Sequence, residues 1–392
     1  MKKLKRYAAL LLALTLVAGL LAGCRREDSL SFRVGFGRVP ATLDPALASA
    51  DEEKIVVSHL FENLMKLQSD GSGGTTAVNG MARSYQCDAT AEGQETYTFK
   101  LRSATWSDGT KVTAQDFVYA WKRLVAPETG SKNAKLLDMV AGYTAARAGD
   151  AEALQVSAPD EETFVVALSG RCPYFIDSVC TAAATMPVQS AAAAQENWSM
   201  SASTLVTNGP YTVSSWEGDT LTLTQSADYH DKRRLGPENL TFRFTADAKT
   251  ANSLYDRGEV DFVLGLTEEA IAKKIDSWTP DSYPETSVVL LNQLSSLTSN
   301  ENVRRAMGLV IDRNAIAELL GARTHPAAEG LVTWDIRSTA GGQFRDLGPA
   351  VDNDSENYEK NCQTARELMQ AAGYTAGALA KLGTVTMLYE SD

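Results

Sequence analysis

Residues 97–127, YTFKLRSATWSDGTKVTAQDFVYAWKRLVAP, read without a gap as strand, turn and helix. Tyr97, Phe99 and Leu101 alternate with Thr98, Lys100 and Arg102, the period-two pattern of a strand with one buried face. Asp108-Gly109 makes a turn, since glycine enters positive φ at no steric cost. Thr113 followed three residues later by Asp116 fits a capping box, and Phe117, Ala120, Trp121, Leu124 and Val125 recur at helical spacing as one apolar stripe. Pro127 stops the helix. By physical chemistry alone the stretch is a structural strand and an amphipathic helix laid on a core.

Working outward, 392 residues are enough for two or three domains, and 44% hydrophobic with 22% charged residues is ordinary globular composition. The formal net charge of −12 argues against nucleic-acid binding, which needs clustered Lys and Arg to displace counterions. Residues 1–23 are the basic, then apolar, then small-residue pattern of a secretory signal, with an apolar run too short to span a bilayer. Leu21-Ala22-Gly23-Cys24 resembles the bacterial lipobox, which implies that Cys24 becomes the lipidated first residue and anchors the chain. Of the other cysteines, Cys172 and Cys180 flank a short segment and are the first pair to test for a disulfide, whereas Cys362 falls on the apolar face of a helix and is expected as a buried free thiol. No Cys/His cluster has zinc-site spacing, and no cofactor is expected. Gly35-Phe36-Gly37 is a very weak dinucleotide signal, because Pro40 stands at the third glycine's place.

The wording of ATWSDGTKVTAQDFVYAWKRL resembles the signature of the extracytoplasmic oligopeptide-binding proteins, solute-binding family 5, which serve ABC importers. Further stretches carry the same resemblance: Thr42-Leu43-Asp44-Pro45, LFENLM at 60–65, Pro173-Tyr174-Phe175, Met186-Pro187-Val188, Asn208-Gly209-Pro210-Tyr211, DRGEVDF at 256–262, Asn302 to Arg313, TARELMQAAGY at 364–374 and TVTMLYESD at 384–392. The resemblance implies an α/β, two-lobed periplasmic-binding-protein type II fold with an extra inserted domain. Residues 24–61 and 188–284 would form lobe I, 62–187 the inserted α+β domain, and 285–392 part of a truncated lobe II. Family members continue beyond the strand at 384–392, so a C-terminally incomplete chain is expected. The same resemblance implies a lipid-anchored monomer that captures oligopeptides in an interlobe cleft and passes them to permease and ATPase subunits. Alternatives are the same fold with another cargo (nickel chelate, haem, oligosaccharide) or a non-binding surface lipoprotein. An exported hydrolase is disfavoured, for no G-x-S-x-G or H-E-x-x-H occurs, and no phosphate-binding G-x-x-x-x-G-K-[ST] loop is present.

Local patterns place the remaining elements. A helix is expected from about Asp51 to Met65, with His59 at its surface; helical character runs over Leu136 to Ala148; apolar strands are expected at 260–264 and 287–291. Leu240–Thr245, a helix capped by Asp247 and closed by Gly258, and Val260–Leu264 form a βαβ unit whose two strands should be parallel. Ligands of open α/β sheets collect beyond the carboxyl ends of strands. That geometry selects Leu264, Gly265, Leu266 and Thr267 as the candidate peptide site, and the resemblance adds Glu285 as a partner for a peptide ammonium or cationic side chain.

Overall fold

A computed structural model describes residues 30–71, 74–273, 285–322, 324–333, 336, 342–379 and 386–388. The signal segment and Cys24 therefore lie outside the described residues, as do most of the strand expected at 384–392. The chain divides into two compact units, one through Ala270 and one from Ile271.

In chain order the first unit holds strand β1 (Ser31–Phe36), helix α1 (Asp51–Leu60), the hairpin β2 (Met65–Ser69) and β3 (Thr75–Asn79), then β4 (Ala82–Ala89), β5 (Glu95–Leu101) and helix α2 (Ala114–Val125). After them come α3 (Tyr143–Arg147), β6 (Val156–Asp160), β7 (Thr163–Ala167), α4 (Ser190–Ala193), β8 (Tyr211–Glu217), β9 (Thr220–Gln225), β10 (Asn239–Phe244), α5 (Ala248–Asp256) and β11 (Phe262–Leu264). Helix α6 (Glu268–Lys273) crosses the division.

Strand β5 and helix α2 form as their periodicities require. Strand β5 pairs antiparallel with β4 and β7 in a four-stranded sheet of order β4-β5-β7-β6, and Tyr97, Phe99 and Leu101 are buried. The Asp116 carboxylate accepts from the Thr113 backbone N–H at 2.7 Å, satisfying one group the helix start leaves open. Trp121 then sits edge-on to Phe164, ring centroids 5.1 Å apart, and its indole Nε1 donates to the Thr185 carbonyl at 2.9 Å. An indole buried this way keeps its apolar gain without an orphaned donor.

The second sheet has five strands in the order β11-β1-β10-β9-β8. β1 runs parallel to both β10 and β11, while β8, β9 and β10 are antiparallel in turn. The two strands of the expected βαβ unit are thus parallel, but they are not neighbours: β1 lies between them. Asp247 caps α5 as expected, its Oδ1 accepting from Thr250 N–H at 2.7 Å.

Several expectations are corrected. Helix α1 stops at Leu60, because Gly209 N–H takes the Leu60 carbonyl at 2.8 Å and Asn208 brackets Glu62, accepting from its N–H and donating to its carbonyl. A side chain at 209 would meet the Leu60 backbone at 2.5 Å, so glycine permits this approach. The helix expected over 136–148 is broken at Gly142, whose φ of 84° and contact with the Ala153 backbone divide it into a 3₁₀ turn (Ala134–Leu137) and α3. The run 287–291 forms no strand: no ladder pairs with it among the described residues, and Val288, Val289 and Leu290 are exposed. His59 is no surface residue: its ring lies against Tyr211 and Phe242, with Nδ1 2.7 Å from the Ile55 carbonyl. Cys172 and Cys180 are free, buried thiols; Cys362 is free and half-buried.

The regular elements described in the second unit are helices. Among them are α7 (Glu301–Leu309), α8 (Arg313–Leu320) and α9 (Tyr358–Ala371), with Val303, Ala306, Ala317 and Ala365 buried. Asn300 and Asp312 cap α7 and α8 through their side chains, and Gly321 ends α8 at φ 88°.

Candidate functional site

The carboxyl ends of three parallel strands, β10, β1 and β11, lie side by side, and their exits are tied together by hydrogen bonds. Thr245, just past β10, donates both its backbone N–H and its hydroxyl to the Phe36 carbonyl, each at 2.9 Å. Gly37, just past β1, passes so close to helix α5 that a Cβ there would stand 2.7 Å from the Ala248 backbone. Past β11 the chain turns at Gly265, whose φ is 78°. A Cβ at Gly265 would meet nothing within 4 Å, so the glycine is demanded by its backbone conformation and leaves open space beside the turn.

The structure brings Leu264, Gly265, Leu266 and Thr267 into this one turn. Leu264 is half-buried against the core, Gly265 is exposed, and Leu266 and Thr267 are half-buried. Thr267 also starts α6, its hydroxyl oxygen accepting from Ala270 N–H at 3.2 Å. Glu285 falls in the other unit, exposed and outside any helix or strand.

Sequence reading missed Asn252. It is buried on α5, donating from Nδ2 to the Gly265 carbonyl at 3.0 Å and to the Ala248 carbonyl at 2.7 Å, while Oδ1 accepts from Thr267 N–H at 3.2 Å. Its signal was a polar residue beside Ala251 on the inward face of a helix, which must find partners when buried.

Two buried polar clusters were also missed. The Asp44 carboxylate forms a two-pronged pair with Arg123, at 2.9 Å to Nη1 and 2.5 Å to Nη2, joining the LDP turn to helix α2. Glu62, only 3% exposed, accepts from the Tyr229 hydroxyl and faces His230 Nε2 at 2.6 Å and Lys66 Nζ at 3.4 Å. Burial first, and the Glu62 charge next, push the Tyr229 phenol well above its ordinary range. A carboxylate beside an imidazole has the parts of an acid–base pair, but its near-complete burial closes it to substrate, and it serves to join the start of β2 to the 229–231 loop.

On the four-stranded sheet an open groove of about 410 Å³ is lined by Arg83, Lys100, Lys111 and residues 160–163. Its cations are taken internally: Lys111 pairs with Glu161 at 2.7 Å, Arg83 with Glu162 at 3.8 Å, and Lys100 donates to Thr163 at 2.7 Å. Among the described residues no group of three or more His, Cys, Asp or Glu is placed to hold a metal ion, and no helix is long and apolar enough to cross a membrane.

The mixed α/β architecture is that of the two-lobed periplasmic binding proteins. Two solved structures superpose with a TM-score of 0.71 each: OppA of Burkholderia pseudomallei, 26% identical, and the murein tripeptide binding protein MppA of Escherichia coli, 25% identical. Each match covers 89% of this chain and 68% of the other. A sequence profile of the bacterial extracellular solute-binding proteins, family 5 Middle, matches residues 76–392, and the chain belongs to that family. The family is one of solute-binding proteins and not of enzymes. Curated relatives include the dipeptide-binding protein DppE of Bacillus subtilis, 25% identical over 359 residues, and the periplasmic oligopeptide-binding protein OppA of Escherichia coli, 30% identical over 367. Those matches cover 90% of this chain, and the chain spans 63% of the length of each relative.

Proposed function

We propose that this protein is the ligand-capturing component of an ABC importer, binding short oligopeptides and delivering them to a membrane permease driven by a partner ATPase. The observation that carries this reading is the family match over residues 76–392, together with relatives named for dipeptide and oligopeptide binding. The ligand-facing element is the turn Leu264 to Thr267, where an extended peptide is held largely through main-chain hydrogen bonds, which tolerates varied side chains. Glu285 supplies a carboxylate for a cationic group of the peptide. Residues 24–61 and 188–284 act as lobe I, 62–187 as the inserted domain and 285–392 as part of lobe II. Support for that division is the common sheet of β1 with β8 to β11 and the separate sheet of β4 to β7. Cys24 carries the lipid anchor, which mass spectrometry of the membrane fraction tests: an unmodified N-terminus removes it.

Isothermal titration of the purified chain with peptides of two to five residues should give saturable heat. Silence with peptides, alongside binding of another solute, overturns the cargo. A second cargo reading has its own support: a probable deoxycholate-binding periplasmic protein of Escherichia coli, YgiS, is 26% identical over 365 residues. Deoxycholate therefore belongs in the same titration, and saturable binding of the bile acid without peptide binding favours it.

A further inference from the structure

We propose that Asn252 is the positioning residue of the ligand-facing turn, holding it in binding-ready shape from the helix behind it; this rests on the functional reading of that turn given above. The side-chain amide acts as a clamp closed at both ends. Its Nδ2 reaches the carbonyl of Gly265, where the turn begins, and its Oδ1 receives the N–H of Thr267, where the turn ends. A second Nδ2 bond, to the Ala248 carbonyl one helical turn back, fixes the amide on α5. Asn252 is 8% exposed, so the clamp is shielded from competing water.

The residues nearest in chemistry to asparagine each lose part of this arrangement. Aspartate keeps the acceptor for Thr267 but sets a carboxylate against two carbonyls; glutamine is one methylene too long; serine is too short to span both ends. The turn needs such support because Gly265 sits in the positive-φ region with open space beside it, and an unclamped glycine there is free to leave that conformation. A ligand read through main-chain groups gains affinity when those groups are already ordered, since ordering them on binding would subtract from it. Asn252 thus acts on ligand affinity without touching ligand.

The test compares the full chain with Asn252→Leu, which keeps the side chain's size and loses the clamp, and Asn252→Asp, which keeps only the acceptor. Hydrogen exchange should rise about tenfold or more at Thr267 in Asn252→Leu, with the amides of β1 and β10 unchanged, and rise less in Asn252→Asp. Peptide Kd by titration should rise about tenfold in Asn252→Leu while the melting temperature stays within a few degrees. Unchanged exchange at Thr267 overturns the clamp, and unchanged Kd in a variant whose turn exchanges faster overturns its role in binding. Failure of the unsubstituted chain to bind any peptide overturns the functional reading instead, and exchange alone then decides the clamp.

Discussion

The module around α2 and the turn after β11 are built on opposite principles. In the first, Trp121, Phe117, Phe164, Phe175 and Phe99 are fully buried, and the indole's one polar atom is satisfied inside. In the second, an exposed glycine and its neighbours are held by hydrogen bonds from a single buried amide. The stretch that most clearly marks the family is therefore a packing solution, whereas the turn proposed to face ligand is short, exposed at Gly265 and tied from behind by Asn252.

Substitutions should separate these two regions. The largest effect is expected from Trp121→Ala, which empties a packed site and removes the donor to Thr185; chemical denaturation should show a loss of about 4 kcal/mol. Peptide preference among the molecules that remain folded should not move. A changed preference at unchanged stability would mean that the module takes part in binding.

Next in size is Arg123→Met, which leaves the Asp44 carboxylate, 2% exposed, without its cation. A loss of about 3 kcal/mol is expected, because a buried charge stripped of its partner keeps its desolvation cost. The double variant Asp44→Asn with Arg123→Met should recover much of it; strictly additive losses in the cycle would show the pair to be uncoupled.

Gly265→Ala tests the turn with a smaller change. Forcing a Cβ into φ 78° costs about 1 kcal/mol, and peptide affinity should fall although no packed residue is touched. An alanine variant that binds as well as glycine would place the ligand elsewhere.

The smallest effect is a pH slope. Burial holds the His59 imidazole below its ordinary pKa of 6.5, with the Ile55 carbonyl opposing. The unfolded chain takes up a proton that the fold resists, so the stability contributed here is present above the unfolded value and is lost as pH falls through the lowered folded one. Unfolding midpoints followed from about pH 7.5 down to about pH 5 should fall less steeply in His59→Gln than in the parent. Identical slopes would show the imidazole to be solvated.

Much of the fold was legible because periodicity is a local property. The alternation over 97–101, the stripe of α2 and the Asp247 cap depend on residues within a turn or two of one another, and each appears where the pattern places it. The elements that went astray were decided by distant partners. Helix α1 ends where Asn208 and Gly209 reach it, and the run 287–291, apolar enough for a strand, has no partner strand to pair with among the described residues. The rule for strand ends points to Leu264 to Thr267 as a candidate but not to the bonds behind them, since Asn252 reads as an ordinary helical residue until helix α5 and the turn are placed together.

By itself, then, the amino-acid sequence determined the family, the α/β class and most element types, because local spacing and family wording survive without knowledge of long-range contacts. Only the tertiary structure decided that β1 inserts between β10 and β11, that Glu62, Tyr229 and His230 share a buried cluster, and that Asn252 closes on Gly265 and Thr267. The strand order and the Glu62 cluster join groups far apart in the chain, and the clamp joins a helix to a loop across a change of direction. Pairings of that kind are set by which surfaces must be buried against one another, and chain spacing carries no record of them.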